Sequence, residues 1–438
     1  MADPAGKSRQ LKLRALTGAR TLRYASATLV VVAVCAGAFV LNGRSGQAVS
    51  AATAVSAPSL GGPHAGDGPE ALLSRTLHEL GNRRLDAAVT EIDKAIRDYP
   101  NFRLAHLIRG DLLLARARPL TTVGNAKGAP IDRLEELRAE ARARLARMQQ
   151  ERPVNLVPRY VVQMQPEQRH ALIVDTARST LYVFENHDGE ARYVTDYYVS
   201  IGKNGIDKFR EGDNKTPLGV YHVTGRMSRE KLATTYGKLA EQYGIGALPI
   251  NYPNEWDRRE GRHGHGIWLH GVPFDTYSRP PLASNGRIAL TNEDFTRISR
   301  DVQIGLTPVI VANGVDWVAP GAGIALRTEL MERVERWRQD WENRDTDQYL
   351  AHYAAGFSGG RKNLAKWSAQ KHKVNAGKTW VRVKLDRVSI FLYPGRDDLA
   401  VVTFHQDYAS NNLVHQMRKR QYWIREDGGW RILHESAA

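Results

Sequence analysis

The chain has 438 residues, with 62 Lys and Arg against 47 Asp and Glu, giving a formal net charge of +15 at pH 7. That length exceeds one ordinary domain of roughly 150 residues, so a single-domain reading is excluded, while a hydrophobic content of 42% supports packed cores. A single cysteine, Cys35, excludes an intrachain disulfide framework, and the basic balance favours partners with an anionic surface.

Lys7, Arg9, Lys12, Arg14, Arg20 and Arg23 precede an uncharged apolar run that begins at Ala25. Residues 1–24 therefore read as a basic cytoplasmic tail and residues 25–42 as a transmembrane anchor or signal, with the rest of the chain exported by the positive-inside rule. Small residues at Ala48, Val49, Ser50 and Ala51 would suit cleavage as the alternative to anchoring. Cys35 is preceded by Val34 rather than by a small residue, so it reads as an apolar residue of that run, not a lipidation site. Residues 43–68, rich in Ala, Gly, Ser and Pro, read as a flexible linker.

Residues 69–152 take up a helical pattern. Ala88, Ile92, Ala95 and Pro100 have the spacing of the second helix of a tetratricopeptide repeat, and Ala105 and Gly110 suit the start of another. About one and a half such repeats are too short to bury a continuous groove, so this TPR-like segment is expected to pack on a neighbouring domain. Leu134, Leu137, Ala141 and Leu145 continue an amphipathic helix.

Strand character begins near Tyr160. The segments 172–175 and 179–185 flank a turn, and Asn186-His187-Asp188-Gly189 forms the next. Asp175 and Leu181-Tyr182-Val183-Phe184, then Ser200-Ile201-Gly202, then Gly212-Asp213-Asn214-Lys215-Thr216-Pro217-Leu218-Gly219-Val220-Tyr221 follow in order, and His270-Gly271 and Ser284-Asn285-Gly286-Arg287-Ile288-Ala289-Leu290-Thr291-Asn292 come later. These elements resemble the YkuD-type L,D-transpeptidases over about residues 168–313. The resemblance implies a mainly-β sandwich with a surface cleft, here assigned to residues 160–318. It also implies a cysteine nucleophile after Ser-His-Gly, with that histidine as its base. This chain has Arg287 at the cysteine position, Asn285 at the histidine position and Ala289 at the usual arginine.

From Ile324 a helix is expected with Leu330, Val334, Trp337 and Trp341 on one face, then a shorter helix and turn carrying Tyr349, Tyr353 and Phe357. Four strand-like segments, 379–393, 399–409, 413–425 and 429–436, close the chain. A helix followed by a curved sheet resembles the NTF2-like α+β cone, assigned to residues 324–438. Arg361, Lys362, Lys366, Lys371, Lys373, Lys378, Arg382, Lys384 and Arg387 crowd a segment whose only acid is Asp386, with Trp367 and Trp380 among them. Such a surface suits nucleic acid in general, but export rules that partner out; an anionic glycan, phospholipid or protein surface fits better, and a solvated face is the plain account.

Thiol acyl transfer needs a thiolate, a base and oxyanion donors. Arg287 stays protonated and cannot attack a carbonyl, and Asn285 has no proton affinity. Ser284, Gly286, His270 and Gly271 are the retained cleft positions. No catalytic residue and no cofactor is expected. The expected protein is a bacterial inner-membrane, single-pass pseudoenzyme with its bulk in the periplasm, binding peptidoglycan or a cell-wall enzyme, with Arg287 and His270 as possible ligand contacts. Arg287 pairing with a ligand carboxylate competes with Arg287 filling the site through an internal ion pair. One alternative is an active enzyme of altered chemistry, using Ser284 or a metal held by His263, His265 and His270. Another is a structural scaffold acting through the TPR-like and NTF2-like parts.

Overall fold

The computed structural model describes residues 68–438 apart from Lys127 and Ser278; the expected basic tail, the 25–42 anchor and almost all of the linker lie outside the described residues. Among the described residues no helix is long and apolar enough to cross a membrane.

Four helices come first, Pro69–Gly81, Leu85–Asp98, Arg103–Ala115 and Ile131–Gln149. Pro69 opens the first one, where its missing N–H costs nothing. Leu72, Ala88, Ile92, Ala95, Phe102 and Ala105 form their core, which takes in Tyr277 from the following domain; its ring lies 4.8 Å from that of Phe102 and 5.7 Å from that of Tyr99. Arg144 is buried in the seam. It ion-pairs with Glu70 and, at 2.8 Å, with Glu140, and its guanidinium lies 4.1 Å from the Tyr198 ring. The helices are thus fastened to the next domain, as so short a run requires.

The central domain is organised by a five-stranded sheet ordered Glu190–Tyr198, Thr180–His187, His170–Asp175, Pro308–Ala312 and Gly219–His222. Only His170–Asp175 and Pro308–Ala312 run parallel. Successive side chains on a strand point to opposite faces, and here both faces are buried. Ala171, Ile173, Tyr182, Phe184, Ile310 and Ala312 enter one core, while Leu172, Val174, Leu181, Val183, Val309 and Val311 enter another. The second core is closed by the small sheet Ile288–Ala289, Trp268–His270, Gly246–Pro249 and Met227–Ser228, which carries the cleft.

The first core belongs equally to the C-terminal domain. Its helix Ile324–Glu342 buries Leu330, Val334, Trp337 and Trp341 against the long antiparallel strands Val381–Leu392, Leu399–Ser410, Leu413–Glu426 and Gly429–Ala437. Three differences from the sequence expectations matter. The strand Val161–Gln163, assigned above to the central domain, pairs with Val381–Leu392 and extends the C-terminal sheet to seven strands. Tyr353–Gly359 is a strand rather than a turn, because it pairs in parallel with Gly429–Ala437 while Tyr353 and Phe357 turn into the core. Leu364–Ala376, read as a basic stretch, is a helix begun by the Asn363 side chain accepting from the Lys366 N–H.

Polar contacts lock the two domains together. Glu255 accepts from Arg420 at 3.0 Å on both oxygens and from the Tyr422 hydroxyl at 3.1 Å. Burial alone would raise the Glu255 carboxyl, but Arg420 outweighs it and holds the group below its ordinary value. Arg420→Ala leaves this carboxylate buried without its cation, so it should cost about 3–5 kcal/mol in chemical unfolding. Arg420→Met combined with Glu255→Gln should recover part of that loss.

Candidate functional site

The cleft loop hangs between two short strand pairs. Trp268–His270 runs parallel to Ile288–Ala289, with His270 opposite Ala289, and Leu282–Ser284 runs parallel to Ile201–Gly202. The turn of residues 284–287 is held from within and below. The Ser284 hydroxyl donates to the Arg287 carbonyl at 2.5 Å, and the Thr216 hydroxyl donates to the Gly286 carbonyl at 3.1 Å while accepting from the Gly202 N–H at 2.9 Å. Gly286 has φ +95°, and a Cβ there would lie 2.6 Å from the Lys215 carbonyl oxygen, so the turn admits no side chain at this point. Gly271 is crowded by a side chain instead, since a Cβ would meet Asn292 Oδ1 at 2.2 Å, an oxygen held by the Ile245 and Val272 N–H groups.

The Gly212 to Thr216 turn is a brace for this loop. The Asp213 carboxylate accepts from Lys208 Nζ at 2.8 Å and from the N–H groups of Phe209, Arg210 and Lys215 at 2.8, 3.0 and 3.1 Å. Although burial opposes ionisation, the Lys208 ammonium and these N–H donors hold its pKa well below the ordinary carboxylate range.

The structure brings Arg287 near His270, whereas Asn285 faces solvent. Arg287 lies half-buried with its guanidinium 5.0 Å from the ring of Tyr243 and 5.0 Å from the ring of Trp268. Its buried Nε has no hydrogen-bond partner. Among the described residues no carboxylate lies within ion-pair distance of it. Aromatic faces, rather than the internal ion pair weighed above, hold the guanidinium.

His270 is buried, with Nδ1 2.5 Å from the Gly271 carbonyl and its ring 5.3 Å from that of Tyr243. Burial, then the positive charge of Arg279, and then that of Arg287 push its pKa down to about 3, against the opposing hydrogen bond to Gly271. It is a neutral imidazole at physiological pH. His263 and His265 do not join it: His263 packs near Phe209, with ring centroids 6.4 Å apart, and His265 lies 3.4 Å from Glu211. No group of three or more His, Cys, Asp or Glu side chains suited to a metal is gathered among the described residues.

A second unusual cation lies in the cone of the C-terminal domain. Lys371 Nζ sits 4.3 Å from the Trp367 ring, 5.2 Å from Trp341 and 5.5 Å from Tyr349, with no hydrogen-bonding or ion-pairing side chain among the described residues. Beside it Glu435 is satisfied by Lys419 at 2.9 Å, Gln421 at 2.9 Å and Tyr353 at 3.3 Å, while the buried Trp367 Nε1 has no acceptor. Burial lowers the Lys371 pKa to about 8, Glu435 opposing and Lys419 assisting. Reading the basic stretch as a solvated face missed this residue, since Lys371 and also Lys378 turn inward, the latter to Ser410 at 3.0 Å. The four-residue spacing of Trp367 and Lys371 on one helix was the available clue.

The comparisons agree with this architecture. Residues 169–311 match the model of the YkuD family, described as the L,D-transpeptidase catalytic domain. The central domain is a YkuD domain. Residues 329–436 match the Cds6 C-terminal NTF2-like domain. Among solved structures, Bd1075 of Bdellovibrio bacteriovorus shares 29% identity over 65% of this chain and 98% of its own, with a TM-score of 0.55. Pgp2 of Campylobacter jejuni, described as a helical cell shape determining protein, shares 22% identity over 68% of this chain and 98% of its own, with a TM-score of 0.54, which shows the shared fold. No curated protein matches. Residues 169–311 are thus L,D-transpeptidase-like.

His270 gives the YkuD domain a defined acid response. Its folded pKa of about 3 lies below the unfolded value of about 6.5, so the unfolded chain binds more protons between these limits. The stability it supports is present above about pH 6.5 and declines as pH falls toward 3, by about 1.4 kcal/mol per pH unit inside that window. Urea unfolding of wild type and His270→Gln at pH 7 and pH 4.5 should show a smaller acid loss in the variant.

Proposed function

We propose that this protein binds peptidoglycan through its YkuD cleft without cleaving or exchanging the stem peptide, as a membrane-anchored periplasmic pseudoenzyme that organises or regulates wall remodelling. The observation that carries the reading is Arg287: it replaces the expected nucleophile, rests on Tyr243 and Trp268, and turns its guanidinium donors to no carboxylate among the described residues. A guanidinium so placed suits a bidentate carboxylate of the stem peptide. The chain's one cysteine is Cys35, far outside the cleft loop in sequence. The hydroxyl of Ser284 is buried and committed to the Arg287 carbonyl, and the neutral His270 has its Nδ1 on Gly271, which weighs against a serine-based reaction. Lys371 adds a second cation with no hydrogen-bonded or ion-paired side chain among the described residues, the neighbouring Glu435 being taken up by Lys419, Gln421 and Tyr353, so the NTF2-like cone would suit the same class of acidic ligand. Residues 25–42 supply the proposed inner-membrane anchor.

The test is incubation of the purified protein with intact sacculi, scoring pelleted protein and muropeptides by mass spectrometry. Wild type should pellet and leave the muropeptide profile unchanged. Arg287→Ala should weaken binding by about 10- to 100-fold, the value of one lost charged hydrogen-bonded pair. A new muropeptide sinks the pseudoenzyme reading, and undiminished binding by Arg287→Ala moves the role to the scaffold parts.

Binding at the cone should depend on pH in a known direction. Lys371 is cationic below about pH 8 and neutral above it, so its contribution to sacculus binding should fall as pH rises from 7 to 9, and Lys371→Met should remove that dependence.

A further inference from the structure

At one end of the NTF2-like domain large apolar side chains stand in solvent. Val374 is 45% exposed, Trp380 43%, Leu413 52% and Val414 76%. The fold brings their backbones together at this tip of the sheet, with Leu413 and Val414, consecutive on one strand, on its two faces. Asn411, at the turn between Leu399–Ser410 and Leu413–Glu426, accepts from the Thr379 N–H at 3.1 Å and donates to the Gly377 carbonyl at 3.3 Å. Gly377 in turn caps the helix at Val374. Across the strands Arg382, Ala409 and Val414 stand in register, and residues 411–416 are exposed without interruption.

The charge around this apolar end is positive. The Arg382 guanidinium lies 5.6 Å from the Trp380 ring, and Lys373 and Lys384 are exposed. The nearby carboxylates face bases: Asp407 stands opposite Lys384 in register, Asp386 lies 3.8 Å from Lys384, and Asp347 lies 3.4 Å from His372. Residues 361–387 hold nine Lys and Arg against the single acid Asp386, and apart from Lys371 and Lys378, which turn inward, these bases are available to the surface.

We propose that this end, formed by Val374, Trp380, Leu413 and Val414 with Arg382 and Lys373, docks on an anionic phospholipid bilayer. Tryptophan is suited to the boundary between headgroup and hydrocarbon because its body is apolar and its N–H polar. Aliphatic tips such as Leu413 and Val414 gain by leaving water for the acyl boundary. Lysine and arginine lay their stems along the same apolar surface while their charges meet lipid phosphates. The combination of an exposed indole, three aliphatic side chains and flanking cations is complementary to such a membrane rather than to an acidic protein groove, which would leave the apolar tips exposed. The surface is separate from the YkuD cleft, and the proposal stands or falls independently of what that cleft binds.

Amide hydrogen exchange on the full chain mixed with phosphatidylglycerol or phosphatidylcholine vesicles tests this. Insertion by residues 25–42, and attraction of the basic residues 7–23 to the anionic lipid, act away from residues 411–416 in sequence, so protection read locally there, and lost in the surface variants, isolates the docking surface. Exchange at residues 411–416 should slow by about tenfold or more on phosphatidylglycerol and stay unchanged on phosphatidylcholine, as a surface-charge attraction requires. Trp380→Ser combined with Val414→Ser, and separately Arg382→Glu, should lose the protection, with unchanged exchange in the strand Leu399–Ser410 showing that the fold is intact. Equal protection on both lipids, or none on phosphatidylglycerol, overturns the proposal. So does protection that grows with protein concentration without lipid, which would assign the surface to a second copy of this chain.

Discussion

The five-stranded sheet buried on both faces is the constraint on which the rest of the molecule depends. Its inner strands divide their side chains by parity, Ile173 and Phe184 to the C-terminal core, Leu172 and Val183 to the core beneath the cleft loop, while the edge strand Glu190–Tyr198 changes parity at an irregularity in its pairing. Sheets covered on both sides need near-continuous apolar strands, and the runs Ala171-Leu172-Ile173-Val174 and Val309-Ile310-Val311-Ala312 supply them. One consequence is mechanical. A single layer of backbone separates the NTF2-like core from the cleft core, and the Val161–Gln163 strand and the Glu255 to Arg420 pair fasten the two domains at its margins.

The loop that carries Arg287 is framed by its neighbours rather than by its own side chains. Gly286, Thr216, Asp213 and Gly271 are backbone devices: two meet steric walls, one bridges strands, and one gathers N–H donors. None of them depends on the identity of the nucleophile. Arg287 then occupies the turn without the ion pair that would neutralise it. Aromatic faces stabilise a guanidinium without consuming its N–H donors. Lys371 repeats this arrangement in the other domain with a different cation and a different set of rings.

The sequence by itself determined much of this protein. Order-specific motifs such as Gly212 to Tyr221 and His270-Gly271 marked the YkuD domain, and the 3–4 residue spacing of Leu330, Val334, Trp337 and Trp341 marked the helix of the cone. That the chain's one cysteine is Cys35, and that residue 287 is an arginine, are one-dimensional facts that no fold can alter. Tertiary structure decided the rest, for reasons of pairing and burial. Strand partners lie far apart in the chain, so Val161–Gln163 joined a sheet more than 200 residues away, and Tyr353–Gly359 became a strand through Gly429–Ala437. A charged side chain reads as solvated until packing shows otherwise. Lys371 turned into an aromatic cone, Arg287 settled on Tyr243 and Trp268, and His270 lost its proton affinity to burial and to Arg279, because desolvation and neighbouring charge are properties of three-dimensional surroundings.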